Sequence, residues 1–252
     1  MQDELRLLVE LHRHGKRQGP GGDAETRMAI ALSGLSPSDD LRIADIGCGS
    51  GASTLLLARH LDARVTALDL IPEFLTRLEN DAEAAGLAER IETQQASMDA
   101  LPFAEAALDA IWSEGAIYNL GFETGVAAWR RYLKPGGILA VSELTWLTHE
   151  RPAELQDYWE RAYPEVDTAS AKIAILERQG YAPLGYFVLP AYCWLENYYR
   201  PLQQRFETFL DANGNTPAAQ SVIEEQRREI ALYERYSNHF GYGFYVGRNG
   251  AG

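Results

Sequence analysis

Asp45-Ile46-Gly47-Cys48-Gly49-Ser50-Gly51 ends a short apolar run, LRIADI at 41–46, and opens the helix-like GASTLLLARHL at 51–61. Glycines between a strand and a helix let the chain turn tightly, and the free N–H groups of the helix start face whatever binds there. Outward from this loop the same alternation repeats. ARVTALDL at 63–70 reads as a strand, and PEFLTRLENDAEAAG at 72–86 reads as a helix with proline at its start and glycine at its end. RIETQQ at 90–95, LDAIWS at 108–113, the helix-like ETGVAAWRRYL at 123–133, the turn KPGG at 134–137 and ILAVSE at 138–143 continue it. Strands alternating with helices of about ten to fifteen residues imply βαβ units and a parallel sheet covered on both faces. Five strands are expected by Glu143.

The second strand ends at Asp69, twenty-two residues after Gly47. A carboxylate so placed can accept both hydroxyl hydrogens of an adenosine ribose, and loop and acid together predict an adenosine-containing ligand. GCGSGA also satisfies the relaxed dinucleotide pattern, so a nicotinamide-dependent oxidoreductase is a rival. That rival needs a hydride-transfer dyad, and no Tyr-x-x-x-Lys pair follows the strands.

Before the sheet, Leu5, Leu8, Val9 and His12 stand at helical spacing and KRQGPGG at 16–22 makes a bend. Asp23 is placed to cap a second helix, with Met28, Ala31 and Leu35 on one side. Beyond residue 150 come two helices, from Pro152 and from about Thr168 to Gly180, then a sixth strand at 183–190. Residues 191–240 are helical and aromatic-rich, with Thr216 and Pro217 as cap and first-turn pair, and YGFYVG at 242–247 is a seventh strand. The expected organisation over 1–252 is an N-terminal helical cap (1–36), a core (41–190 and 241–248) and a helical insertion or lid (191–240).

The 252 residues include 23 basic and 36 acidic side chains, a net charge of −13 that disfavours docking on a phosphate backbone. With 46% hydrophobic residues the chain has the apolar content of a packed core. The first sixteen residues mix charges among leucines and do not resemble a signal peptide, and no run reaches the roughly 18 to 20 apolar residues of a membrane span. Cys48 and Cys193 lie far apart without metal-ligand spacing. A cytoplasmic protein without a metal is expected, acting on a small molecule and not on nucleic acid.

DIGCGSG, ALDL, SMDALPF, LDAIWSEGAIYNL and YLKPGGILAVSE, in that order over about Leu41 to Glu143, resemble the class I S-adenosylmethionine-dependent methyltransferases of small molecules. RQGPG near the start and WSEGAIYN after the fourth strand are similar to a bacterial branch of that family. The resemblance implies a Rossmann-like α/β fold with a seven-stranded, mostly parallel sheet in the order 3-2-1-4-5-7-6, the last strand antiparallel and helices on both faces. It implies S-adenosylmethionine as cofactor and S-adenosylhomocysteine as product. The methionine moiety would lie over Gly47, Cys48, Gly49 and Gly51, with Asp45 near its amino group. Asp69 and Leu70 would hold the ribose side, Ser97, Met98 and Asp99 would edge the adenine, and Glu114 and Gly115 would lie beside the methyl group. Many relatives carry an Asp-Ala pair where this chain has Ser97-Met98.

Methyl transfer from a sulfonium rests on positioning and water exclusion, with a base where the acceptor must lose a proton. Glu114, Glu143 and His149 are the candidates for positioning or base. Tyr118, Asn119, Trp146, Tyr192 and Trp194 are the candidate acceptor pocket, within an aromatic set that includes Tyr158, Trp159, Tyr163, Tyr198 and Tyr199. Arg17 or Gln18 is expected to fold over the cofactor. Ser113-Glu114-Gly115-Ala116 stands where amino methyltransferases directed at adenine or glutamine carry an Asn-Pro-Pro-Tyr type motif, which argues for a small acceptor. A homodimer and a non-catalytic cofactor-binding protein are further possibilities left open by the residues.

Overall fold

The computed structural model describes residues 2–250. Two helices, α1 (Gln2–His12) and α2 (Asp23–Ser33), precede the alternating run β1 (Arg42–Ile46), α3 (Ala52–Leu61), β2 (Arg64–Asp69), α4 (Pro72–Ala84), β3 (Ile91–Gln95), β4 (Leu108–Glu114), α5 (Phe122–Trp129) and β5 (Leu133–Trp146). Then come α6 (Ala153–Ala162), the two-residue β6 (Asp167–Thr168), α7 (Ala169–Arg178) and β7 (Tyr181–Val188). The insertion holds α8 (Ala191–Trp194), a π-turn (Leu195–Tyr199), α9 (Arg200–Gln203), α10 (Phe206–Ala212) and α11 (Pro217–Tyr236), and β8 (Phe240–Asn249) closes the sheet.

The sheet order is β3-β2-β1-β4-β5-β8-β7, with β6 on the end of β5. Set aside that short strand and the order is the expected 3-2-1-4-5-7-6. β1 to β5 run parallel and β8 is antiparallel to both neighbours. KPGG does not end an element: Leu108 pairs with Leu133 and Ala110 with Ile138, so residues 134–137 bulge out of a continuous β5, with Gly136 at φ +78°.

Each strand sends alternate side chains to opposite faces, and two cores result. On one face Trp112, Leu144 and Trp146 pack with α3, α6 and the insertion; on the other Ile111, Leu139, Val141 and Tyr245 pack with α5 and α7. Leu7 and Leu11 of α1 share the first core with Trp194, Phe206 and Tyr233. The N-terminal helix and the insertion are therefore held by one apolar cluster.

Two local expectations shift. In α1 the deeply buried positions are Leu7 and Leu11, while Leu5 is half exposed, so the helical period stands but its phase moves. In α2 Met28 is exposed and Glu25, Thr26 and Ser33 are buried, because their polar atoms find partners inside: Thr26 bonds Glu114 and Glu25 accepts from the Tyr192 hydroxyl. Gly22, not Asp23, occupies the cap, and Asp23 pairs instead with Lys16 and Arg17. Thr216 does cap α11, its hydroxyl accepting from the Ala219 N–H at 3.4 Å.

Candidate active site

The loop between β1 and α3 is pinned from beneath, Gly47 and Cys48 both donating their N–H to the Leu68 carbonyl at 2.8 and 3.0 Å. Gly47 and Gly51 adopt φ of +68° and +83°, and a Cβ on Gly47 would stand 2.4 Å from that of Ala116. Only glycine serves here, on conformational and steric grounds alike. Asp69 at the end of β2 accepts from Gly49 N at 2.8 Å and from Ile71 N at 3.0 Å. One carboxylate thus locks the loop and the start of α4 together, and burial raises its pKa.

A cavity of about 430 Å³ lies over this loop. Gly47, Cys48, Gly49, Asp69, Leu70, Ser97, Met98, Glu114, Gly115, Arg17 and Gln18 line it, as do Tyr118 and Asn119. Asp45, Gly51 and Asp99 do not. Asp99 is exposed, and Gly51 packs against Leu78 of α4, where a Cβ would meet that side chain at 2.1 Å. Phe74, Ile71, Ala96 and Ser53 also line the cavity and were not singled out from sequence. Pro72 was the available signal for two of them, since a helix starting there turns Ile71 and Phe74 toward the end of β2. Met98 is held by its carbonyl, which accepts the Trp129 indole N–H at 2.9 Å.

Asp45 lies fully buried behind the loop, one oxygen accepting from Ser53 at 2.8 Å and Thr54 at 2.7 Å, the other without a partner. Burial pushes its carboxyl up to about 7. Between the ordinary range near 4 and about 7 the folded chain keeps a proton that the unfolded chain has released, so rising pH across that window costs stability. Asp45→Asn should remove this dependence, and the wild type should lose up to about 4 kcal/mol more than the variant between pH 4 and 8. Urea unfolding across that range measures it; parallel profiles for the two proteins would contradict the assignment.

The N-terminal bend folds onto the loop. Gln18 accepts from Ser50 N at 2.8 Å and donates to Ser50 Oγ and the Gly15 carbonyl, both at 3.1 Å. Arg17 pairs with Glu114 at 2.8 Å and Asp23 at 3.2 Å. Glu114 also accepts from Thr26 at 2.6 Å and from the Trp112 indole at 2.9 Å, so three side chains from three elements fix it. Gln18→Ala removes the bridge between bend and loop and should weaken S-adenosylhomocysteine binding about three- to tenfold, the worth of one hydrogen bond. Calorimetric titration checks this, and an unchanged affinity would remove Gln18 from the cofactor's surroundings.

Beyond Tyr118 a second cavity of about 180 Å³ shares Gln18, Gly19, Pro20, Gly115 and Tyr118 with the first. Leu144, Trp159, Ala162, Tyr163, Trp194, Tyr198, Tyr242 and Glu229 complete its lining. Of the expected acceptor residues it contains Tyr118 and Trp194. Asn119 faces the larger cavity, Tyr192 is 41% exposed, and Trp146 is buried under Arg151 and against Phe240. Of the candidate bases, His149 is exposed and lines neither cavity. Glu143 is buried on the opposite face of β5 from Leu144, one oxygen accepting from Leu144 N at 3.0 Å and 3.9 Å from the Lys172 ammonium. Burial pushes it up to about 7 against the pull of Lys172.

Residues 43–137 match the model of the methyltransferase domain family. An uncharacterized protein of Haemophilus influenzae is 27% identical over 68% of this chain and 76% of its own length. The 27-O-demethylrifamycin SV methyltransferase of Amycolatopsis mediterranei is 30% identical over 55% of this chain and 51% of its own length. Apart from the first of these, the chain spans about half or less of the length of several of the curated relatives it matches. A solved S-adenosylmethionine-dependent methyltransferase of Geobacter sulfurreducens, in complex with S-adenosylhomocysteine, superposes with a TM-score of 0.82 at 19% identity, covering 96% of this chain and 97% of that one. Residues 43–137 thus match a methyltransferase domain, and the fold is that of a solved S-adenosylmethionine-dependent methyltransferase. The residues present fit S-adenosylmethionine: the glycine cradle admits no side chain and Asp69 borders the cavity, whereas Asp45 stays behind the loop and does not reach it.

Proposed function

We propose that the whole chain transfers the methyl group of S-adenosylmethionine to a small-molecule acceptor seated beyond Tyr118. The observation that carries this is the continuity of the glycine-loop cavity with the aromatic one across Gln18, Gly19, Pro20, Gly115 and Tyr118. When bound, the cofactor supplies a methyl group on a sulfonium, which needs alignment with a nucleophile more than it needs acid or base help. The chain's residues supply that alignment. Asp69 would accept the ribose hydroxyls, Leu70, Ser97 and Met98 would border the adenine, and Gly47, Cys48 and Gly49 would bring backbone close to the methionine moiety. Arg17 and Gln18 close the bend over the loop, and Tyr118 stands between donor and acceptor.

Glu114 acts here as a positioning residue, because its three donors hold the end of β4 and the adjoining Gly115. Glu143 and His149 line neither cavity, so no base role is assigned to them. Residues 191–240, packed on α1, serve as a lid over the aromatic cavity; the alternative role, a homodimer surface, would appear in sedimentation as a dimer. No helix among the described residues is long and apolar enough to cross a membrane. The acidic balance favours a small acceptor over nucleic acid.

Calorimetric titration of the cofactor-stripped protein with S-adenosylhomocysteine, with NAD(H) and NADP(H) in parallel, is the test. Micromolar binding of the first alone, followed by S-adenosylhomocysteine formation on an acceptor panel, is expected. Nicotinamide binding alone would favour an oxidoreductase, and affinity without turnover would favour a binding protein.

A further inference from the structure

The second cavity contains a carboxylate that sequence gave no reason to place there. Glu229 comes from the middle of α11, and one of its oxygens accepts from the Tyr199 hydroxyl at 2.8 Å. Among the described residues no lysine, arginine or histidine forms an ion pair with it. His12 and Arg205, the two cationic side chains beside Tyr198, are otherwise committed. Arg205 donates to the Leu11 carbonyl at 3.1 Å, and His12, stacked on Tyr198 at 6.0 Å, is pushed down to about 4 by burial and then by Arg205, so it is neutral at pH 7. Burial raises the Glu229 carboxyl, and Glu225 adds to that.

Around this carboxylate stand Trp159, Tyr163, Trp194, Tyr198 and Tyr242. Aromatic faces carry negative potential and attract cations, the more so where water is excluded. A neutral ligand entering here would strip water from Glu229 and give it no countercharge, which is costly for a buried ion. A cation would satisfy both the carboxylate and the rings. The buried indole N–H groups of Trp159 and Trp194 lack partners, leaving donors for an oxygen on the same ligand. A volume of 180 Å³ corresponds to about six waters, the size of a small head group.

Building on the function proposed above, we infer that the acceptor is a small organic cation whose charged nitrogen sits against Glu229 and the rings of the second cavity. A separate acceptor atom with a free lone pair bonds to the methyl carbon as the C–S bond breaks, its proton, if it carries one, passing to solvent. α6, α11 and the start of β8 all lie outside the matched methyltransferase segment, so this specificity is written mainly beyond the cofactor half.

The experiment uses the full chain saturated with S-adenosylhomocysteine and titrated with choline and with its uncharged isostere 3,3-dimethylbutan-1-ol. Binding is followed by calorimetry and by fluorescence of Trp159 and Trp194. Choline is expected to bind at least tenfold more tightly than the isostere. Glu229→Gln should cut choline affinity at least tenfold while leaving S-adenosylhomocysteine affinity within twofold. Equal binding of choline and isostere, no choline binding, or full choline affinity in Glu229→Gln would each overturn the inference while the methyltransferase reading stands. Failure of S-adenosylhomocysteine itself to bind would overturn that reading as well. Should Glu229→Gln not fold, the charged and uncharged pair on the wild type decides alone.

Discussion

Asp69→Ala is expected to lower S-adenosylhomocysteine affinity by about two to three orders of magnitude. Two losses combine. The carboxylate is placed to accept two ribose hydroxyls, and hydrogen bonds to a charged group contribute about 1.5–3 kcal/mol each. At about 1.4 kcal/mol per tenfold, that alone spans the predicted range. The same side chain also ties Gly49 N and Ile71 N, so its removal frees both sides of the cavity mouth. Asp69→Asn keeps an acceptor oxygen but turns an amide donor toward one of those N–H groups, and an intermediate loss is expected. Calorimetry on both variants, with circular dichroism to establish folding, measures this. A folded Asp69→Ala that binds normally would place the ribose elsewhere.

The parts of this site that were legible in the sequence are those fixed within one βα unit. Gly47 and Asp69 lie at the ends of adjacent parallel strands, and because β1 pairs with β2 in register from Arg42 and Arg64, their meeting follows from strand length alone. Acceptor residues depend on packing between distant elements, and there the sequence was ambiguous. Glu143 and Leu144 are neighbours in β5, yet a strand sends them to opposite faces, and it is Leu144 that reaches the aromatic cavity. Trp146 shares the face of Leu144 but lies further along the strand, under Arg151.

Glu229 was illegible for another reason. In EEQRREIALYERY at 224–236 it reads as one more charge on an amphipathic helix, and only the seating of α11 against α1 and the sheet turns it inward. The buried polar face of α2 was missed similarly. Glu25 and Thr26 look solvent-facing until Tyr192 and Glu114, 167 and 88 residues away, arrive to partner them.

Glu114→Ala is expected to destabilise the fold by about 3–5 kcal/mol, the usual cost of leaving one half of a buried ion pair. The Arg17 and Glu114 side chains are only 9% and 8% exposed, and their contact joins the N-terminal bend to the end of β4 across 97 residues of chain. Removing the carboxylate leaves the buried guanidinium with only the half-exposed Asp23 and leaves Thr26 and the Trp112 indole without their shared acceptor. Arg17→Ala should cost less, since Glu114 retains two neutral donors, and the double variant should cost less than the two single changes added together. A coupling of at least 1 kcal/mol in urea unfolding is the expected result, accompanied by weaker cofactor binding because Arg17 and Gln18 leave the loop together. If Glu114→Ala instead unfolds like the wild type and loses only turnover, Glu114 acts on the reacting groups directly and the positioning role is wrong.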